Sequence, residues 1–446
     1  MLCEIVVGTL VFGLGRPGFP AQEQERLLGK IPDDAKNAYV ETWGPGGIAV
    51  VYKAWKSSRA YFLLRDGKTE EFENIIWTMF SPDRRTVAYY ATKDGETSLV
   101  FGDQRVTGVE VYDPRFTPDG KRFSFGAKKG REFWRKGTDG DKLLARIPDD
   151  VQGIMEIVWS RDGTSVAYAG AAGSNLKNWH AFVGDKRGER FAEVGSLLLS
   201  PDGKTVVYRA KVKKEWVVVV DEKLGERFEE IGILVLSPDG RTPAYSARRE
   251  GKFLIVIGER PGGDFDQVGD PVFGAKGVAY RASRGGKWFV ICRGTKGAGF
   301  DRVGDPVFSP DGTRVAYPAM RGEKWVMVVG EKPGEEFDGL WKPRFTPDGK
   351  QVIYSAKKGE KISLVVDGKR GEEFDGVTSD EASMNPDGSV VAYPAREGEK
   401  MLVVVGKNRS ELFDQVGPPE LSSDGKKVSF GARKGRELWW KVMEVR

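Results

Sequence analysis

The sequence predicts an all-β chain, built from about eleven copies of one four-stranded sheet whose apolar faces are covered only by neighbouring copies. Three observations carry this reading. A Val-Ala-Tyr-like element recurs, closing on Tyr52, Tyr89, Phe125, Tyr168, Tyr208, Tyr245, Tyr280, Tyr317, Tyr354, Tyr393 and Phe430. The intervals between these aromatics are 37, 36, 43, 40, 37, 35, 37, 37, 39 and 37 residues, and a fixed period of about 20 to 50 residues marks a repeat architecture. Glycine accounts for 58 of 446 residues, about double the usual ~7%, so tight turns are abundant.

Each repeat reads as four short strands, here a to d in chain order. Strand a, as in Pro306-Val-Phe-Ser309, opens on proline, which a sheet tolerates at a strand's first residue. The Ser-Pro-Asp-Gly that follows is a tight turn, in which proline presets φ, Asp bonds its own backbone and Gly supplies an open conformation. Strand b is the Val-Ala-Tyr element. Strand c is apolar on both faces, as in Trp216-Val-Val-Val-Val220 and Phe253-Leu-Ile-Val-Ile257, the pattern of a strand buried from both sides. Strand d, as in Asp264-Phe-Asp-Gln-Val268 and Glu335-Glu-Phe-Asp338, alternates polar and apolar residues and suits an outer position. Four strands in about 37 residues leave no room for a helix.

Radial stacking of such units gives a β-propeller. The Ser-Pro-Asp-Gly turn together with the Val-Ala-Tyr element resembles the TolB-type propeller repeat, a relative of the WD-repeat blade, over nearly all of residues 26–446. That resemblance implies an envelope or periplasmic binding role. The chain departs from the family in having no N-terminal α/β domain and more than six repeats. The stretch Leu27-Leu-Gly-Lys-Ile-Pro-Asp-Asp34 echoes Leu143-Leu-Ala-Arg-Ile-Pro-Asp-Asp150, which holds the strand-d place of the third repeat. The chain thus starts with an orphan strand d, while its last repeat, ending in Glu437-Leu-Trp-Trp-Lys-Val-Met443, lacks one. Pairing of the two closes the repeats into a single ring of eleven. Two tandem rings of five and six are the alternative, since propellers commonly have ~4 to 8 blades.

Composition excludes several functions. Lys and Arg number 70 against 65 Asp and Glu, a net charge of +5, and interleaved acids remove the counterion-release advantage that nucleic-acid binding needs. One His in 446 residues leaves few routes to a metallohydrolase or a catalytic triad. Neither a metal nor another cofactor is expected. Residues 1–22 read as a possible signal or leader segment, with an uncharged stretch at 5–15 too short to span a membrane, and residues 23–446 as the propeller. A leader implies a periplasmic or extracellular location; without one the chain is cytoplasmic. No later segment resembles a membrane span.

No residue is assigned a catalytic role. The Asp of each Pro-Asp-Gly suits a turn, and one carboxylate per repeat is too dispersed to chelate. The aromatics opening strand c, Trp216, Trp288 and Trp325, read as packing between repeats. His180 falls in the longest loop between strands b and c. The b–c loops are rich in cations, and these form the candidate binding face: Lys128, Lys129, Arg131, Lys213, Lys214, Arg248, Arg249, Arg284, Arg321, Lys357, Lys358, Arg396, Arg433 and Lys434, with His180 beside them. Acids of the d–a connections, among them Asp266, Asp301, Asp338, Asp375 and Asp414, open onto the same rim, so solvated blade-to-blade ion pairing is the simpler role. The expected function is a non-enzymatic scaffold binding a protein or an anionic polymer through this face or the channel. The alternative is a carbohydrate lyase or hydrolase acting in the channel.

Overall fold

In the computed structural model the described residues are 25–55, 59–173 and 176–445. The leader expected at 1–22 lies outside them. Eleven antiparallel sheets follow one another in the order a-b-c-d, and only two single-turn 3₁₀ segments interrupt them among the described residues. Blades 1 to 11 occupy residues 36–72, 74–107, 110–146, 151–187, 193–228, 230–261, 267–296, 302–337, 339–374, 376–409 and 415–444. The fourth strand of blade 11 is the N-terminal Arg26–Lys30. No helix among the described residues is long and apolar enough to cross a membrane.

Neighbouring sheets bury each other. Eleven core clusters form, and each draws its residues from two consecutive blades. The cluster that joins Ile31 and Leu438 to Val40, Tyr52, Phe62 and Leu64 links blade 11 to blade 1, so the blades form one ring and not two. The aromatic of strand b is the recurring wedge. It meets a Phe of the preceding blade edge-on, as in Phe72 with Tyr89, Phe228 with Tyr245, Phe337 with Tyr354 and Phe413 with Phe430, at ring-centroid distances of 5.5 to 6.3 Å. Such pairs contribute about 0.5–1.5 kcal/mol each beyond their buried area.

Closure repeats the joint between blades 3 and 4. Arg26 pairs with Trp440 and Lys30 with Glu437, with one bulge between Leu27 and Gly29; strand d of blade 3 pairs with its own strand c through a bulge at the matching place. Arg436 Nε donates to the Ile31 carbonyl at 3.2 Å and its Nη2 to Ala35 at 3.0 Å; Arg131 does the same to Ile147 at 3.2 Å and Val151 at 3.0 Å. In both joints a Trp from the next blade packs into the space a strand-b glycine leaves, Trp43 at Gly431 and Trp159 at Gly126. Gln415 further clamps blade 1, accepting from the Val40 N–H at 3.0 Å and donating to its carbonyl at 2.6 Å. On the opposite face half-buried Arg84 and buried Glu420 pair at 3.2 Å, reaching from blade 2 to blade 11.

Two details differ from the sequence reading. The stretch read as strand d is divided between two blades: Phe265 and Phe300 bridge back to strand c, while Gln267–Val268 and Arg302–Val303 begin the next strand a. The intervening Asp is thereby placed at the blade boundary. His180 stands inside strand c of blade 4, Asn178–Val183, opposite Gly170, because strand b of that blade extends to Ala172 and shortens the loop. Its Nδ1 lies 2.9 Å from the Gly188 carbonyl oxygen.

Candidate functional site

The turns on the two faces of the ring do different work. On one face are the Ser-Pro-Asp-Gly turns, whose carboxylates are occupied locally. Asp202 Oδ1 accepts from Ser200 Oγ at 2.7 Å and from the Lys204 N–H at 3.2 Å, while Ser200 Oγ accepts from the Thr205 N–H at 2.9 Å. The Ser200 hydroxyl and the Lys204 N–H hold that carboxylate below its ordinary range. Asp162, Asp239, Asp311, Asp348 and Asp424 close their turns in the same way.

The b–c turns and d–a connections form the other face, which carries the expected binding residues. From blade 6 to blade 11 one arrangement repeats. The first Lys of strand c donates to the Asp at the blade boundary: Lys252 to Asp266 at 2.8 Å, Lys287 to Asp301 at 2.6 Å, Lys324 to Asp338 at 2.5 Å, Lys361 to Asp375 at 2.6 Å and Lys400 to Asp414 at 2.5 Å. The other oxygen of each Asp accepts from a glycine N–H in the next blade's b–c turn, at 2.6 to 2.8 Å, these being Gly285, Gly322, Gly359, Gly398 and Gly435. Each carboxylate therefore latches two blades, and its lysine holds it below the usual carboxylate range.

The latch fixes the sign of a pH effect. These carboxylates have folded values below the unfolded one near ~4, so their contribution is present above about pH 4 and lost as pH falls through the depressed folded values. The urea midpoint is expected to stay level from about pH 7 to 5 and to drop below about pH 4. A variant with Asp301, Asp338 and Asp375 all changed to Asn should lose less stability on acidification. Equal acid slopes for the two proteins would refute the latch.

Most of the candidate cations are engaged within the ring. Arg248 pairs with Glu230 at 2.7 Å and Glu229 at 3.1 Å, Arg249 with Glu226 at 3.7 Å, Lys358 with Glu335 at 2.6 Å and Lys434 with Glu411 at 2.5 Å. Lys128 pairs with Glu110, and Arg433 approaches Asp414 at 3.9 Å. Arg396 donates to the carbonyls of Asp375 and Gly398, both at 3.0 Å. Arg284 lies over the Phe265 ring and Arg321 over Phe300, at 5.0 and 5.4 Å. Lys129, Lys213, Lys214 and Lys357 are exposed. His180 is set apart on strand c, away from the turn tips.

The turn tips show a pattern that a count of cations misses. On blades 8, 9 and 10 the two-residue turns are Gly322–Glu323, Gly359–Glu360 and Gly398–Glu399, and on blade 6 Glu250–Gly251, all exposed. Blade 2 presents Asp94–Gly95, blade 5 Lys213–Lys214, blade 3 Gly130–Arg131 and blade 11 Gly435–Arg436. Three consecutive acidic tips thus stand on blades 8 to 10, the arginines of blades 3 and 11 are drawn into the two matching joints, and Lys213–Lys214 of blade 5 is an exposed basic tip. The signal in the sequence is the triplet Gly-Glu-Lys at 322–324, 359–361 and 398–400: the Lys turns inward to the latch and the Glu is left at the tip. Beside the Lys213–Lys214 turn, a cleft of about 310 Å³ separates blades 5 and 6, lined by Arg209, Trp216, Ile231, Gly232, Ser246 and Phe253. Arg209 donates there to the Ile231 carbonyl at 2.9 Å and covers the Trp216 ring at 5.1 Å.

No protein-family model and no curated protein matches the chain. Among solved structures it is similar to an oligogalacturonate lyase from Vibrio parahaemolyticus, with 11% identity over 74% of this chain and 96% of that one and a TM-score of 0.34. It is also similar to a eukaryotic initiation factor, with 12% identity over 80% of this chain and 92% of that one and a TM-score of 0.40. Likenesses this distant leave the function to the residues themselves.

Proposed function

We propose that the protein is a non-enzymatic binding scaffold whose face of b–c turns engages a protein partner. The observation that carries this reading is the separation of tip charge by sign, basic at Lys213 and Lys214 and acidic at Glu323, Glu360 and Glu399. A uniformly anionic polymer would be attracted to the first group and repelled by the second. A folded protein presents both signs in register, and such complementarity selects partner and orientation.

The test is capture from an extract of the native host on immobilised protein, wild type beside Lys213→Glu/Lys214→Glu, with heparin as a polyanion control. A protein retained by the wild type and lost with the variant is expected, with weak heparin binding that the substitution leaves unchanged. Saturable heparin binding that the two substitutions abolish would move the reading to an anionic polymer.

A further inference from the structure

We infer that the face of b–c turns is self-complementary and docks a second copy of this chain head to head. The inference rests on the proposed protein-binding role of that face and names its partner. In a face-to-face pair of coaxial rings the two copies are related by a two-fold axis lying in the contact plane, and the same patch serves both copies. With eleven blades, every such axis passes through one blade and between the two opposite it.

Take the axis through blade 1. It carries blade 2 onto 11, 3 onto 10, 4 onto 9, 5 onto 8 and 6 onto 7. Lys213 with Lys214 then faces Glu323, while Asp94 and Glu399 fall opposite Arg436 and Arg131, whose guanidinium groups are held by carbonyls of the two matching joints. Each contact occurs twice by symmetry. Among the described tips, no other of the eleven axes sets the two lysines against an acidic tip without also bringing like-charged tips together. The axis through blade 2, for instance, brings Glu250 against Glu360, and the axis through blade 11 brings Asp94 against Glu360. The glycines at 285 and 286 leave the blade 7 tip uncharged where it meets Glu250 of blade 6, with Arg284 next to it.

These tips are solvent-exposed, so the pairing is screened by salt and works by steering and orientation. Sedimentation velocity on the full chain is expected to show a dimer whose dissociation constant rises about tenfold or more between roughly 50 and 500 mM NaCl. Lys213→Glu/Lys214→Glu sets acid against Glu323, and Glu323→Lys sets base against the two lysines. Each variant alone should be monomeric at concentrations where the wild type is dimeric, with an unchanged melting temperature. An equimolar mixture of the two should restore the dimer, because both symmetry-related contacts are then opposite in sign. A monomeric wild type at low salt, variants that dimerise normally, or a mixture that stays monomeric would each overturn the inference. If the wild type is monomeric yet the host-extract partner is lost with Lys213→Glu/Lys214→Glu, the second copy is excluded and the protein-binding role stands; if no partner is captured either, both fall.

Discussion

Deleting residues 1–31 is expected to open the ring and lower stability by at least ~5 kcal/mol, read as a large fall in melting temperature or as aggregation. The strand removed is short, but its contacts are concentrated. Ile31 is 3% exposed in the core that blade 11 shares with blade 1, and burying an aliphatic side chain contributes about 1.5–3 kcal/mol. Leu28 packs against the same core. The Ile31 N–H donates to the Arg436 carbonyl at 2.8 Å and the Ile31 carbonyl accepts from Arg436; each such bond adds roughly 1 kcal/mol net. Loss of the strand also leaves strand c of blade 11 as a bare edge, a template for pairing with other chains. A peptide of residues 25–35 added in trans should raise the melting temperature of the deleted chain. A deleted chain that melts within about 2 °C of the full one would show that closure lies elsewhere.

Gly431→Ala is expected to destabilise the protein by about 2–3 kcal/mol, toward the upper end of what overpacking costs. A methyl group on Gly431 would enter the indole of Trp43, and the neighbouring Gly417 touches the same ring. The indole has nowhere to retreat, because it forms part of the seam between blades 11 and 1. Gly126→Ala should behave alike against Trp159. In a Trp43→Ala background the Gly431→Ala change should become nearly neutral, a coupling that a double-mutant cycle measures directly. Equal costs in the two backgrounds would mean that the glycine serves its own backbone and not the ring packed on it.

Much of this architecture was legible because its signals are local. The interval between strand-b aromatics, the Pro-Asp-Gly turns and the doubly apolar strand c repeat within each unit of about 37 residues, and a unit of that kind can hide its faces only against its neighbours. The echo between 27–34 and 143–150 exposed the closing strand, since an outer strand detached from its blade keeps the side chains its partner requires. The candidate face was less legible. Counting cations put Arg248, Arg396 and Lys434 on a par with Lys213, yet the first three are bound by Glu230, by backbone carbonyls and by Glu411. The acidic tips went uncounted because a Glu beside a Gly and a Lys looks the same in sequence whether it is paired or presented.

The amino-acid order alone determined the blade, its number of copies and the strand that completes the last one, because hydrophobic pattern and turn chemistry act over a few residues. Whether the copies form one ring or two, and which charges remain for a partner, was decided by the tertiary structure. Asp338 meets the N–H of Gly359 only when consecutive sheets stack, and residues 26–30 meet 437–440 only when the whole chain has come round. Contacts between residues so far apart in the chain depend on the accumulated geometry of every blade between them, which no local pattern of side chains encodes.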